Sequence, residues 1–189
     1  ANLAAGVVVG KIGSANTTLE EISEYESRFT NYSINHNIKT FNEIELISNE
    51  LKLEGKKIVF TNGCFDLLHT GHVRYLETAK SFGDVLILGL NSDNSVGALK
   101  GKNLPINLEL DRAYILSALS AVDYVVIFED LTPYKLIQAI KPHILVKGGD
   151  YKGKNVVGED LVDELKIVEF IEGKSTSKTI EKIKGIKSK

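Results

Sequence analysis

The chain is 189 residues long, with 43% hydrophobic residues, 25% charged residues and a formal net charge of −2. This is the composition of a soluble globular protein, and the lack of a basic excess argues against nucleic acid as a partner. The single cysteine, Cys64, excludes an internal disulfide and a cysteine-based zinc cluster. It favours a reducing compartment, the cytoplasm, and no apolar run is long enough to predict a membrane-spanning helix.

The chain opens inside an apolar pattern, at residues 2–12, and contains no methionine, not even at position 1. We therefore expect it to be a fragment of a longer polypeptide. Residues 27–37 are polar and have the composition of a linker. Helical periodicity follows in residues 40–51, and Gly55 is expected to end that helix. This leading helix is expected to pack at the edge of a sheet.

From residue 57 onward, short apolar runs alternate with helical patterns. Runs that are apolar on both faces are typical of parallel strands covered by helices on both sides. The sequence therefore predicts an α/β fold with a five-stranded parallel sheet. The predicted strands are residues 57–60, 85–90, 124–128, 144–147 and 167–170. The predicted helices are residues 72–82, 108–119, 133–140, 158–165 and 177–184.

The stretch T-N-G-C-F-D-L-L-H-T-G-H, residues 61–72, leads from the first predicted strand into a helix. Free backbone N–H groups and the helix dipole make such a junction an anion site. Gly71 lets a bulky anion approach the backbone, and His69 and His72 can project to one side of the first helical turn. This pattern predicts a site for a phosphate whose charge grows in a displacement reaction. The alternative is a polar turn whose histidines only cap the helix.

Polar motifs also follow other predicted strands, at the end where ligands bind in parallel sheets. N-S-D at residues 91–93 and K-G-K at 100–102 follow the second strand, and K-G-G-D-Y at 147–151 follows the fourth. S-T-S at 175–177 opens the last predicted helix, where hydroxyls and backbone N–H groups can hold phosphate oxygens. The alternatives are simple N-capping by Ser177 and, for K-G-G-D-Y, a flexible turn.

The 61–72 stretch resembles the signature of the nucleotidyltransferases that share the H-x-G-H site with class I aminoacyl-tRNA synthetases. Within them, the chain is most similar to the adenylyltransferase half of the bifunctional heptose 7-phosphate kinase/heptose 1-phosphate adenylyltransferases. The matching motifs are V-K-G-G-D-Y at 146–151, A-L-K-G at 98–101 and P-I-N-x-x-x-D-R at 105–112. The related cytidylyltransferases carry an arginine ahead of their S-T element, whereas this chain has F-I-E-G at 170–173, which argues against that branch.

The resemblance implies a Rossmann-like sheet and three segments. Residues 1–26 are similar to the end of a ribokinase-like kinase domain and lack its sugar- and ATP-binding residues, so no kinase activity is expected of them. Residues 27–56 are expected to be a linker and the leading helix, and residues 57–189 the nucleotidyltransferase domain. In the parent polypeptide the chain would be joined covalently to the kinase domain, and we expect a homodimer.

By resemblance, the activity is transfer of AMP from ATP, with Mg²⁺ on its phosphates, to D-glycero-β-D-manno-heptose 1-phosphate, giving ADP-heptose for lipopolysaccharide core synthesis. No dedicated protein ligands for a metal are evident. The expected catalytic residues are His69, His72 and Lys100. The expected nucleotide-binding residues are Thr61, Asn62, Cys64, Phe65, Gly71, Lys147, Gly149, Ser175, Thr176 and Ser177. The expected substrate-binding residues are Asp66, Asn91, Asp93, Arg112 and Asp150.

Two other functions stay open at this point. One is a cytidylyltransferase acting on glycerol 3-phosphate or a similar small phosphate, and the other is a non-catalytic nucleotide-binding domain that serves the kinase. Two of the predicted site residues also have structural alternatives. Lys100 is alternatively an ordinary surface lysine, and Arg112 is alternatively part of an ion pair on a helix surface. His143 is expected to be structural, and Asp123 to occupy a packing position.

Overall fold

The computed structural model describes residues 37–169, together with Thr18 and Gly185. The chain divides into two units, residues 1–36 and 37–189, and the described strands and helices all lie in the second unit. This unit begins inside the 27–56 segment expected to be linker and leading helix. In the part of the chain that the structure describes, no helix has the length and apolar character needed to cross a membrane.

The described residues form six strands and five α-helices. In chain order they are β1 Ile38–Lys39, α1 Phe41–Leu53, β2 Ile58–Gly63, α2 Thr70–Lys80, β3 Val85–Asn91, α3 Asp93–Lys100, α4 Glu109–Ser117, β4 Tyr124–Phe128, α5 Tyr134–Ile140, β5 Ile144–Gly148 and β6 Glu164–Val168. Two short 3₁₀ turns, Gly149–Tyr151 and Glu159–Leu161, lie between β5 and β6.

The strands form one parallel sheet in the order β1-β4-β3-β2-β5-β6. The chain moves outward from β2 through β3 to β4, and then returns to the other side of β2 to add β5 and β6. The direction of strand addition therefore reverses between β2 and β5. In open parallel sheets, ligands bind at such a point, beyond the carboxyl ends of the strands.

Helices cover both faces of the sheet, as predicted. Alternate residues of each strand point to opposite faces; of β2, Val59 joins one core cluster while Ile58 and Phe60 join the other. The first cluster is completed by α2 and α4, and the second by α1 and α5. Side chains such as Leu76 of α2 and Ile44 of α1 are fully buried, so both layers contribute to the core.

Side-chain caps fix where two of these helices begin. The Thr40 hydroxyl accepts from the Glu43 amide, and the Glu43 carboxylate accepts from the Thr40 amide, which forms a complete capping box at α1. At α3, the Ser92 hydroxyl accepts from the Ser95 amide. This cap places the start of α3 directly after the carboxyl end of β3, at the edge of the sheet where ligands bind.

The fold differs from the prediction at three places. It has six strands rather than five. The additional strand, β1, could not be predicted because it is only two residues long and shows no periodicity in sequence. The helix predicted at 158–165 is wrong, because a 3₁₀ turn occupies 159–161. The strand predicted at 167–170 begins earlier, as β6 at Glu164–Val168, with Glu164 paired with Ile144. Leu161 and Leu165 mimic helical spacing because both pack on the same core cluster, one from the turn and one from the strand. The helix α3 was not predicted, and the predicted helix 177–184 lies outside the described residues.

Two glycines offer a matched test of packing in this fold. A Cβ added at Gly89, in the middle of β3, would lie 2.8 Å from the Phe60 ring and 3.2 Å from Leu136, whereas one at Gly97 in α3 would meet only the Leu104 carbonyl, at 3.6 Å. We expect Gly89→Ala to lower the free energy of unfolding by about 1–3 kcal/mol through overpacking. Gly97→Ala should instead raise it by up to about 1 kcal/mol through helix propensity. Urea denaturation of both variants checks this, and equal effects would contradict it.

Candidate active site

His69 and His72 lie where β2 gives way to α2, beyond the carboxyl end of β2. Their rings are stacked, with centroids 3.9 Å apart and 14° between the ring planes. The Phe65 ring meets His72 edge-on at 5.3 Å. His69 is the N-cap residue of α2, but its side chain makes no capping hydrogen bond. The alternative in which this histidine only caps the helix is therefore wrong.

The ring of His72 is neutral at physiological pH. Burial, with added repulsion from His69 and Lys100, lowers the pKa of His72 from 6.5 to about 4. A neutral imidazole has one N–H donor and one nitrogen that can accept. The Nδ1 atom of His72 is buried and has no hydrogen-bond partner among the described residues. Since an unpaired buried polar atom costs free energy, this ring is suited to meet a polar ligand.

This low pKa predicts a specific pH dependence of stability. When the chain unfolds, the pKa of His72 returns to about 6.5, so between pH 6.5 and 4 the unfolded state binds more protons than the folded state. Stability that is fully present above pH 6.5 is therefore lost as the pH falls toward 4. We expect His72→Asn to lose less unfolding free energy than the wild type between pH 7.5 and pH 4.5. Urea denaturation at the two pH values checks this, and parallel losses would contradict it.

Lys147 lies near the end of β5, beside β2, at the point where strand addition reverses. The side chain is only 5% exposed. Its ammonium group donates to the Asn62 side-chain oxygen and lies 5.0 Å from the centroid of the Tyr151 ring. Burial lowers the pKa of Lys147 to about 8, against an opposing effect of Asp150, so the amine is still charged at pH 7. A buried cation hydrogen-bonded to a neutral amide suits an incoming phosphate.

Thr61 ties β2 to its neighbours. It is fully buried, and its hydroxyl lies 2.7 Å from the Tyr75 hydroxyl and 3.0 Å from the Val146 carbonyl oxygen. The Tyr75 hydroxyl lies 3.1 Å from the same carbonyl. Burial raises the pKa of Tyr75, which keeps this phenol neutral. In this structure Thr61 thus joins β2, α2 and β5, while its predicted phosphate contact stays a prediction.

Arg112 is buried, with 1% of its surface exposed, so the alternative of an ion pair on a helix surface is wrong. Its guanidinium group donates to the Asp93 carboxylate at 2.7 Å and to the carbonyl oxygens of Cys64 at 2.6 Å and Asn107 at 2.9 Å. Two residues expected to bind substrate, Asp93 and Arg112, are therefore bonded to each other. Substrate binding by Arg112 stays a prediction, but its donors already hold the protein together.

Asp66 and Asn91 also point into the protein. The Asp66 carboxylate is 7% exposed and accepts from the backbone N–H groups of Ile106 and Asn107 at 2.9 Å. Asn91 is 4% exposed and donates to the Ser95 hydroxyl at 2.9 Å. These partners are parts of the chain itself, and the substrate contacts of both residues stay predictions.

The remaining predicted residues that the structure describes lie at the rim of the site. Lys100 is exposed at the end of α3, close enough to influence the pKa of His72. Asp150 is exposed in the turn after β5. A Cβ at Gly149 would lie 2.7 Å from a carboxylate oxygen of Glu169, so this glycine makes room for that side chain, and its nucleotide contact stays a prediction. Gly71 is half-buried in the first turn of α2. The predicted phosphate-binding residues Ser175, Thr176 and Ser177 lie outside the described residues.

Three residues of this region escaped the sequence interpretation. Tyr75 lies three residues after His72 on α2, and its position on the helix could have indicated that it lies near the site. Tyr151 ends the K-G-G-D-Y motif, and its ring faces the Lys147 ammonium group. Asn107, from the P-I-N motif, donates to the carbonyl oxygen of Asp66 at 3.0 Å. The motifs contained the signal for the last two.

The fold and this site are those of a nucleotidyltransferase-like α/β domain, and comparison with known proteins agrees. The family profile described as "Cytidylyltransferase-like" matches residues 60–188. The chain therefore belongs to the cytidylyltransferase-like family, and the resemblance to the H-x-G-H enzymes is confirmed.

More specifically, the chain is similar to proteins named "Bifunctional protein HldE". It is 67% identical to the one from Aliarcobacter butzleri over 97% of this chain and 38% of the relative, and 63% identical to the one from Sulfurimonas denitrificans over 98% of this chain and 39% of the relative. The chain thus spans about two fifths of the length of the curated relatives it matches.

Solved structures show the same fold. The lipopolysaccharide core biosynthesis protein from Thermoplasma volcanium aligns with a TM-score of 0.51 and 28% identity, over 64% of this chain and 100% of that chain. The pantoate-beta-alanine ligase from Francisella tularensis also aligns with a TM-score of 0.51, at 21% identity, over 75% of this chain and 69% of that chain. The second likeness concerns the fold alone.

Proposed function

We propose that this chain transfers AMP from ATP to D-glycero-β-D-manno-heptose 1-phosphate, giving ADP-heptose and pyrophosphate. The observation that carries the proposal is the stacked pair of His69 and His72 at the start of α2, because the backbone N–H groups of a helix start favour an anion. Family membership and the similarity to HldE proteins support the class of reaction. The heptose acceptor is supported by the V-K-G-G-D-Y motif at 146–151 and by the likeness to a lipopolysaccharide core biosynthesis protein.

The reaction needs no covalent intermediate on the protein. An oxygen of the acceptor phosphate forms a bond to the α-phosphorus of ATP, while the bond from that phosphorus to the bridging oxygen of the β-phosphate breaks. The electron pair of the broken bond leaves with pyrophosphate. Such a transfer depends on positioning and charge stabilisation. His72, neutral at pH 7, would donate its N–H to the oxygens on which negative charge grows, and His69 would act beside it.

Cationic side chains would bring the two anions together. Lys100, exposed on the rim, would contact the acceptor phosphate and the α-phosphate. Lys147, charged and buried near the end of β5, would bind the nucleotide from the β5 side of the site. We assign the departing pyrophosphate to residues 175–177 on the strength of their sequence.

Mg²⁺ would accompany the nucleotide. Within the described part of the chain, no group of three or more His, Cys, Asp or Glu side chains could hold a metal ion. Mg²⁺ commonly keeps several water ligands and binds through substrate phosphates, so the ion would neutralise phosphate charge without a protein cage. We assign no residue to it.

The biological setting completes the proposal. Because the HldE relatives are named bifunctional and are more than twice as long as this chain, we propose that the domain works within a longer polypeptide, joined to a kinase domain. Residues 1–26 would be the end of that kinase domain, 27–56 the connection and 57–189 the transferase. We further propose that the protein is a cytoplasmic homodimer serving lipopolysaccharide core synthesis.

Pyrophosphate release tests the proposal. The full chain with Mg²⁺ is offered ATP or CTP in combination with heptose 1-phosphate or glycerol 3-phosphate. Release only with ATP and heptose 1-phosphate is the expected result. Release with CTP and glycerol 3-phosphate would overturn the substrates but keep the class of reaction. ATP binding without release in any combination would instead favour a non-catalytic nucleotide-binding domain.

A further inference from the structure

The loop that leads from β2 to the two histidines is fastened to a second loop, the one that precedes α4. The Asp66 carboxylate accepts from the backbone N–H groups of Ile106 and Asn107, at 2.9 Å in each case. In return, the side-chain amide of Asn107 donates to the Asp66 carbonyl oxygen at 3.0 Å. Hydrogen bonds to a charged acceptor are stronger than neutral ones, so Asp66 is a firm attachment point.

Arg112 fastens the same two loops from α4. Its guanidinium group donates to the Cys64 carbonyl oxygen in the first loop and to the Asn107 carbonyl oxygen in the second. Its remaining nitrogen donates to the carboxylate of Asp93. All three guanidinium nitrogens therefore have partners within the protein, and the side chain is fully enclosed.

Phe65 lies between these two attachment points. Its φ is +44°, in the left-handed region that non-glycine residues rarely adopt. Such a conformation persists only where the surroundings enforce it, and here the residues on both sides are fixed. The Phe65 ring covers Gly63, where a Cβ would lie 2.9 Å from the ring, and its edge meets His72.

We propose that Asp66 and Arg112 form a clasp that holds Phe65 in this conformation, presses its ring against His72 and so sets the orientation of that imidazole. Both are then positioning residues rather than the substrate ligands expected from sequence. Only the proposed function gives His72 a catalytic role. The expected effect of the clasp on kcat therefore rests on that function. Misplacing a reacting group by about 1 Å can cost on the order of 100-fold in rate.

The test compares Asp66→Asn with a matched control, Asp123→Asn, in the full chain. The Asp123 carboxylate also accepts from a backbone amide, that of Leu86 at 2.6 Å, and it pairs in addition with the Lys80 ammonium at 2.5 Å. It precedes β4, at the amino end of that strand, away from the site. We expect Asp66→Asn to lower kcat by about 10- to 100-fold, with the KM of ATP and of the acceptor within about twofold of wild type. Asp123→Asn should leave kcat unchanged.

A second readout requires no turnover. The pKa of His72, about 4 in the folded protein, is measured by NMR titration of its ring. His69 and Lys100 face this ring and are unchanged, so loosening the clasp removes only the cover given by Phe65. We expect the pKa to move toward 6.5 in Asp66→Asn and to stay in place in Asp123→Asn. Arg112→Lys, which keeps the charge but not the planar fork, should move it in the same direction.

Three outcomes would overturn the clasp. A raised KM with unchanged kcat would make Asp66 a substrate ligand. Equal losses in Asp66→Asn and Asp123→Asn would make its bonds ordinary structural contacts. A His72 pKa that stays near 4 in both Asp66→Asn and Arg112→Lys would show that neither residue sets the orientation of His72. Because this NMR result does not depend on activity, the clasp can be refuted or supported even if the proposed reaction is wrong.

Discussion

Replacing His72 by alanine is expected to lower kcat by two to three orders of magnitude, the loss typical when one donor to a developing oxyanion is removed. The fold should be nearly unaffected, because the substitution removes a buried nitrogen, His72 Nδ1, that has no hydrogen-bond partner among the described residues. Steady-state pyrophosphate release and urea denaturation measure the two effects separately.

His143 provides the matched control. Its Nδ1 accepts from the backbone N–H of Ile58 at 2.9 Å, at the amino ends of β2 and β5, which confirms the structural role predicted for it. His143→Ala should lower the free energy of unfolding by about 1–3 kcal/mol, because that amide loses its acceptor, while kcat of the folded enzyme stays the same. Turnover retained in His72→Ala would remove the role assigned to that histidine.

The largest expected effect on stability comes from Asp93→Ala. The Arg112 side chain has no exposed surface, and Asp93, 30% exposed, is its ion-pair partner at 2.7 Å. Removing one member of a buried pair leaves the other charge uncompensated, which costs about 3 kcal/mol or more. We expect the free energy of unfolding, measured in urea, to fall by about this amount.

Asp130→Ala is the control for that measurement. Asp130 pairs with Lys135 at 2.9 Å, but both side chains are largely exposed, and such pairs contribute about 0–1 kcal/mol. A similar small loss in Asp93→Ala and Asp130→Ala would show that the Arg112 charge does not depend on its partner.

The prediction of the fold succeeded where hydrophobic burial alone decides the structure. The strand Tyr124–Phe128 was predicted with its observed bounds, because both faces of β4 are covered and its residues form a continuous apolar run. The strand β6 was misplaced because Glu164–Val168 lies at the sheet edge and carries charged residues. The helix α3 was missed because it is short and contains Gly97, although the Ser92 cap was a usable signal.

The prediction of the site succeeded for residues whose spacing is local. His69 and His72 lie on one turn, so sequence alone places them together. The partners of Arg112 could not be predicted, since Cys64 lies 48 residues away and no periodic pattern encodes such a pairing. A charged residue in a motif predicts a contact with the substrate. Whether that residue is buried, and which groups it bonds to, depends on the whole tertiary structure.

Attack on the α-phosphorus of ATP is the step on which the proposed function depends, and two radiolabels test it directly. The full chain is incubated with heptose 1-phosphate and Mg²⁺, with ³²P placed either in the α- or in the γ-phosphate of ATP. We expect the α-label to appear in a sugar nucleotide and the γ-label only in pyrophosphate. Transfer of the γ-label to the sugar phosphate, or no transfer by a folded protein that binds ATP, would contradict this mechanism.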